Sequence, residues 1–410
     1  MSVEFRHAAL PNGLTVIAEV DGDAHTAAAG FFVRTGARDE SRELMGVSHF
    51  LEHMMFKGSE RLGAEAVNEA FDSIGADHNA FTSSELTAFH AHVLPDRFDE
   101  AVDTLAEIMR PALRTADFDE EKGVILEEIA MYEDNPFWRL YEAAMDRYYG
   151  DHPLGHRVLG TRDTITALSR DSMREYFEHR YSADNTVVAA AGRVDFDALV
   201  ARIGERCGSW KRTGAVRTHR PFEPRALLLR DRHPSAHRSY LMFAAPAPPF
   251  EDPRRYAAAV AMQILGDGEG SRFHWALVDT GIAEEADASY DPRDGLGLFM
   301  MNAACPTDAA DEVERIVREQ ITALRDSLDE GDLLRAKRKI ATAIALAGER
   351  PAGRMQRIGV LWTMRGMHRT LEQETEEIER LALDDLRSCL DAFPPAPLLA
   401  ARLEPEQTSR

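Results

Sequence analysis

The residues best placed to do chemistry are His49, Glu52 and His53, in the run His49-Phe50-Leu51-Glu52-His53. On a helix, side chains four apart share a face, so His49 and His53 aim two imidazole nitrogens at one point. Glu52 is turned by about 100° at 3.6 residues per turn, which sets its carboxylate beside that point as a base for a bound water. The spacing is the inverted H-x-x-E-H form of zinc hydrolases. The rest of the stretch is apolar, with Val47, Phe50, Leu51, Met54, Met55 and Phe56. Three titratable groups buried there are costly unless a cation compensates them.

A catalytic zinc takes three protein ligands and keeps a fourth position for water. The best candidate for the third lies in residues 118–132. On a helical wheel, Val124, Glu128, Glu121, Tyr132, Ile125 and Ile129 fall within one arc of about 140°, with Glu127 outside it. Glu128 is thus a carboxylate inside an apolar stripe, and Glu121, seven residues earlier, shares its face with a drift of only ~20°. From there it can support the site from the outer shell or balance its charge. His78, His90 and His92 are set aside, because alternation over residues 86–94 puts His90 and His92 together on one face as readily for packing.

These residues need elements to position them. Pro11-Asn12-Gly13 is a turn, with strands at 14–20 and 27–35. Helices follow at 46–56, ended by Lys57-Gly58, and at 64–74, 96–110 and 118–132, with a strand at 86–94. A buried strand at 185–192 and a helix at 195–207 close the first half. Strands and helices mix without a regular βαβ rhythm, so the class is α+β. Residues 211–225 are basic, contain proline and lack apolar periodicity, as a linker does. After it come strands at 226–230 and 239–245 and a helix at 253–265, the order that opens the first half. The expected organisation is a metal-binding domain at 1–212, a linker at 213–225 and a homologous domain at 226–410, from a diverged duplication.

The 410 residues carry 70 acidic and 48 basic side chains, a net charge of −22, which repels a phosphate backbone and argues against nucleic acid as a partner. No apolar run approaches the roughly 18–20 residues of a membrane span, and the opening residues lack a basic stretch followed by an apolar one. The expected location is the cytoplasm, with no membrane partner. Cys207, Cys305 and Cys389 are odd in number and widely spaced, which fits buried filler rather than disulfides or a zinc knuckle.

His49-x-x-Glu52-His53, followed 75 residues after His53 by Glu128 in a Glu121-Lys-Gly-Val-Ile-Leu-Glu-Glu128 segment, resembles the pitrilysin-type (M16) metallopeptidases. The size resembles their processing-peptidase-like bacterial subfamily, M16B. LPNGLTV near the start, Asn79-Ala80-Phe81-Thr82-Ser83 and His152-Pro153-Leu154-Gly155 fit the same style. The resemblance implies one zinc per chain, held by His49, His53 and Glu128, with Glu52 as general base and Glu121 supporting it. It implies two homologous α/β sandwich domains of the LuxS/MPP-like kind, an antiparallel-rich sheet packed with helices, forming half of a clam-shaped chamber. It also implies that Asn79, Ala80, Phe81 and Thr82 form an edge strand that receives an extended peptide.

One departure is sharp. Active single-chain relatives carry, after a glycine-rich loop and Ser-Arg-Leu-Phe, an Arg and then a Tyr that hold the substrate carbonyl. Here Gly266-Asp-Gly-Glu-Gly-Ser271-Arg272 survives, but the Arg position holds Leu277 or Val278 and the Tyr position Glu284 or Glu285. Arg272 and Tyr290 are the nearest substitutes within the chain. The loop does not suit a dinucleotide, since no strand precedes it. The helix mirroring the metal helix, Ala261-Met-Gln-Ile-Leu265, has no ligands. The expectation is the zinc-bearing subunit of a heterodimer whose related partner supplies Arg and Tyr, with a homodimer less favoured. The alternatives are a catalytically silent scaffold, which the intact His49, Glu52, His53 and Glu128 disfavour, and a module that binds peptides without cutting them.

Overall fold

The computed structural model describes residues 3–406. They divide into two units: one holds the chain up to Ile129, His156–Thr218 and Leu346–Arg369, the other Ala130–Gly155, His219–Ala345 and the chain from Thr370.

The first unit is built on a six-stranded sheet of β1 (Glu4–Ala9), β2 (Thr15–Val20), β3 (Ala27–Val33), β4 (Asp77–Thr82), β5 (Thr87–Val93) and β6 (Thr186–Gly192). Their order is β1-β2-β6-β3-β5-β4. Only β2 and β6 run parallel. Strands β3 and β6 are buried along their whole length, as β-rich strings of Ala, Val and Phe must be when both faces of a sheet are covered. One face carries α1 (Val47–Phe56), α2 (Ala64–Ser73), α3 (Phe98–Ile108) and α4 (Thr115–Asp134, through Ile129). Helix Pro351–Arg365 packs on β2, β3 and β6. Its close approach depends on glycine, since a Cβ on Gly359 would lie 2.3 Å from the Phe32 ring.

The second unit repeats the pattern in β7 (Leu227–His233), β8 (Ser239–Ala247), β9 (Glu285–Arg293), β10 (Leu296–Cys305) and β11 (Leu399–Pro405), ordered β7-β11-β8-β10-β9. Again a single pair, β7 with β11, is parallel. Strand for strand this is the order β2-β6-β3-β5-β4, so the topology is duplicated and β1 is the one addition. Period-two alternation divides β8: Leu241, Phe243 and Ala245 join the core with helices Arg255–Gly266 and Ala310–Leu324. Met242 and Ala244 join the core with Leu140, Ala144 and Met145 of α5 (Pro136–Tyr149).

The units therefore depart from contiguous blocks at 1–212 and 226–410. The chain does pass from one to the other at Thr218–His219, inside 213–225, but Ala130–Gly155 belongs with the second sheet and Leu346–Arg369 with the first. The physical reason is that a sheet has two apolar faces to bury. Each sheet's second cover, α5 or helix Pro351–Arg365, comes from the opposite half of the sequence.

That arrangement places a buried charge under helix Pro351–Arg365. Glu19 of β2 is 2 % exposed and accepts hydrogen bonds from Arg357, from Arg354 Nη1 at 3.2 Å and from His368 Nε2 at 2.9 Å. Burial alone would raise its pKa, but His368 and the two guanidinium groups outweigh burial and hold it below 4.5. A depressed carboxylate contributes stability that is present above its unfolded pKa and is lost as pH falls through the folded value. Glu19→Ala is expected to cost about 3 kcal/mol at pH 7, the low end for breaking a buried pair, because the half-buried Arg354 and Arg357 lose their carboxylate partner. Denaturant melts at pH 7 and pH 3 check this: the deficit should shrink in acid, and an equal deficit at both would contradict it.

Candidate metal centre

Helix α1 is fixed at its start by two devices. Gly46 adopts φ +96°, and a Cβ there would lie 2.6 Å from the Leu159 carbonyl oxygen, so glycine is required. Glu40 accepts hydrogen bonds from the Gly46 and Ser48 backbone N–H groups at 2.8 and 2.7 Å, satisfying donors that a helix start leaves open. Burial pushes its carboxyl up to about 8 against those bonds. Phe50 then stacks on Phe118 of α4, ring centroids 4.9 Å apart at 12°. This contact turns the histidine face of α1 toward the carboxylates of α4.

The result is a convergence of three donors. His49 Nε2 and His53 Nε2 lie 3.8 and 3.7 Å from Glu128 Oε2, and the three donor atoms fall within 4.8 Å of one another. These separations are too long for hydrogen bonds. They suit donors sharing one divalent cation at roughly 2.0–2.2 Å from each. Burial, aided by His53, pushes His49 down to about 3, which leaves a neutral imidazole with a lone pair to give. Burial also raises Glu128, with His53 opposing it.

The neighbouring groups are placed as distinctly. Glu121 Oε1 is 2.8 Å from His53 Nδ1, and that bond, helped by Lys57, holds Glu121 below the usual carboxylate range despite its burial. Burial works to lower His53, but the Glu121 hydrogen bond and the surrounding carboxylates raise it. Glu52 accepts a hydrogen bond from Thr82 Oγ1 at 2.5 Å. Burial raises its pKa, and the Thr82 bond and His53 counter the rise. A cleft of about 270 Å³ opens beside Glu52 and His53 and continues along Phe56, Lys57, Ala64 and Asn68.

Two family models match the chain, "Insulinase (Peptidase family M16)" over residues 15–162 and "Peptidase M16 inactive domain" over residues 167–340. The chain belongs to peptidase family M16. This M16 chain is 32 % identical over 398 residues to an uncharacterized zinc protease of Mycobacterium tuberculosis, covering 93 % of this chain and 89 % of that one. It is 29 % identical over 378 residues to the uncharacterized zinc protease YmxG of Bacillus subtilis, covering 91 % of each. A solved protease from Helicobacter pylori shares the fold with TM-score 0.90 at 18 % identity, over 98 % of this chain and 99 % of that one.

Asn79, Ala80, Phe81 and Thr82 of the M16 chain lie on β4, the last strand of the first sheet, which among the described residues pairs with β5 alone. Asn79 Oδ1 accepts from the Ala80 N–H at 2.8 Å. The wheel reading of α4 needs one correction: Ile125 and Ile129 are buried, but Val124 is 44 % exposed, so the inward stripe is narrower and Glu128 sits at its margin. Thr82 and Lys57 are the partners that spacing does not show as such; in the sequence Lys57 reads only as part of the Lys57-Gly58 helix end. Of the histidines set aside, His78 stacks on Phe71 with centroids 4.1 Å apart and His92 Nε2 is 2.7 Å from Thr26 Oγ1, while His90 Nδ1 is buried with no hydrogen-bond partner among the described residues.

In the second unit, Arg272 donates to the Ser327 carbonyl at 2.7 Å and to Asp332 at 2.8 Å. The Tyr290 hydroxyl donates to the Pro248 carbonyl at 2.7 Å. Glu284 pairs with Arg238, and Leu277 is buried. All three cysteines are buried and free. Among the described residues, no helix is long and apolar enough to cross a membrane.

Proposed function

We propose that the chain is a zinc endopeptidase of short or unfolded peptides, and the zinc-bearing subunit of a heterodimer. The observation that carries this reading is the convergence of His49, His53 and Glu128, with Glu52 beside them. When bound, zinc supplies Lewis-acid polarisation of the scissile carbonyl and a water whose pKa is lowered toward about 7. Glu52 takes the proton of the attacking water and returns it to the leaving amine nitrogen. Thr82 holds one Glu52 oxygen, leaving the other for that proton. The outer edge of β4, through Asn79 to Thr82, binds the substrate as an added strand, with backbone hydrogen bonds that read little sequence.

Glu121 acts through His53. A carboxylate on the second imidazole nitrogen fixes tautomer and ring orientation, and its loss typically lowers metal affinity 10–100-fold. Glu121→Gln is expected to weaken zinc by about that factor, measured by chelator competition; unchanged affinity would remove Glu121 from the site.

Heterodimer dependence rests on the missing Arg and Tyr and on the engagement of Arg272 and Tyr290 within their own unit. Removing donors to a developing oxyanion costs about 10²–10³-fold in rate. The purified chain alone is therefore expected to turn over peptides at least 10²-fold more slowly than with a related subunit that carries the pair. Full activity of the chain alone would overturn the partner requirement and leave the zinc site standing.

A further inference from the structure

Lys57 closes α1 four residues after His53, on the same helix face. Its Nζ is 2.6 Å from Glu121 Oε2, while Glu121 Oε1 is the oxygen that meets His53 Nδ1 at 2.8 Å. One carboxylate thus bridges the ammonium and the imidazole through separate oxygens. Glu121 is 6 % exposed, so water does little to hold its second oxygen. Lys57's other acidic neighbours are Glu120, 3.8 Å away and largely exposed, and Asp117. On the other histidine, His49 Nδ1 is buried with no hydrogen-bond partner among the described residues. The outer support of the two rings therefore falls on Glu121, and through it on Lys57.

We infer that Lys57 is a positioning residue for the metal centre. By anchoring Oε2 it fixes the plane of the Glu121 carboxylate, and so the ring orientation of His53 that turns Nε2 toward Glu128. The inference rests on the zinc site proposed above. Charge alone predicts the opposite effect: Glu52, Glu121 and Glu128 surround the site, and deleting an ammonium beside them would strengthen attraction for a dication. Loss of orientation weakens binding instead. The sign of the change separates the two.

The test is zinc affinity of the full chain, by competition with a chromophoric chelator. Lys57→Met is expected to weaken zinc about 10-fold, and Lys57→Arg to restore it to within about threefold, because a guanidinium can still hold Oε2. The double variant K57M/E121Q should bind no more weakly than E121Q alone, since a residue acting through another adds nothing once that one is gone. Unchanged or tighter binding in K57M, or additive losses in the double variant, would overturn the role of Lys57. His49→Ala binding zinc like the native chain would overturn the metal site itself, a separate failure.

Discussion

Glu52→Gln is expected to leave zinc bound and to cut peptide turnover by about 10²–10⁴-fold, the usual contribution of a positioned general base. Gln has nearly the shape of Glu, and its carbonyl oxygen still accepts the Thr82 hydroxyl, so the 2.5 Å contact survives. The change removes the proton acceptor without disturbing the helix that carries His49 and His53. The loss should fall on kcat with KM little altered, because in the proposed mechanism Glu52 acts on the attacking water rather than on the bound peptide. Zinc content and kcat, measured together in the presence of a related subunit that carries the Arg and Tyr, check it. Native turnover by the variant would assign the proton to another group, and loss of zinc would give Glu52 a structural part in the metal site.

How much of this was legible beforehand follows from the range of the forces involved. His49, Glu52 and His53 stand within five residues, where the helical period alone sets geometry. Glu128 was legible because a carboxylate in an apolar stripe conflicts with burial unless something pairs it. Val124 misled the wheel because periodicity gives the direction of a stripe but not its width. Thr82 reaches Glu52 only after β4 has paired with β5, a contact thirty residues long. The covers of the two sheets were less legible still. An amphipathic helix such as α5 announces that one face must be buried, not which sheet will bury it. Strand β11 comes last in the chain and yet lies between β7 and β8, a placement fixed by distant pairing.

Removing a ligand should cost more than removing any supporting group. His49→Ala, His53→Ala and Glu128→Ala are each expected to weaken zinc by well over the 10–100-fold typical of an outer partner, and to abolish turnover. Each leaves two donors where a cation needs three from the protein. His78→Ala, whose ring stacks on Phe71, should change stability and not zinc. A readout independent of activity follows from linkage: zinc at about 1,000 times its Kd stabilises the folded chain by about 4 kcal/mol. The native chain should therefore melt at a higher temperature with zinc than with a chelator, and the three ligand variants should melt alike in both. The comparison also tests α4 against α1. If Glu128→Ala kept the zinc-dependent rise while His49→Ala lost it, the histidines would hold the cation without the carboxylate, and the stacking of Phe50 on Phe118 would serve the core alone.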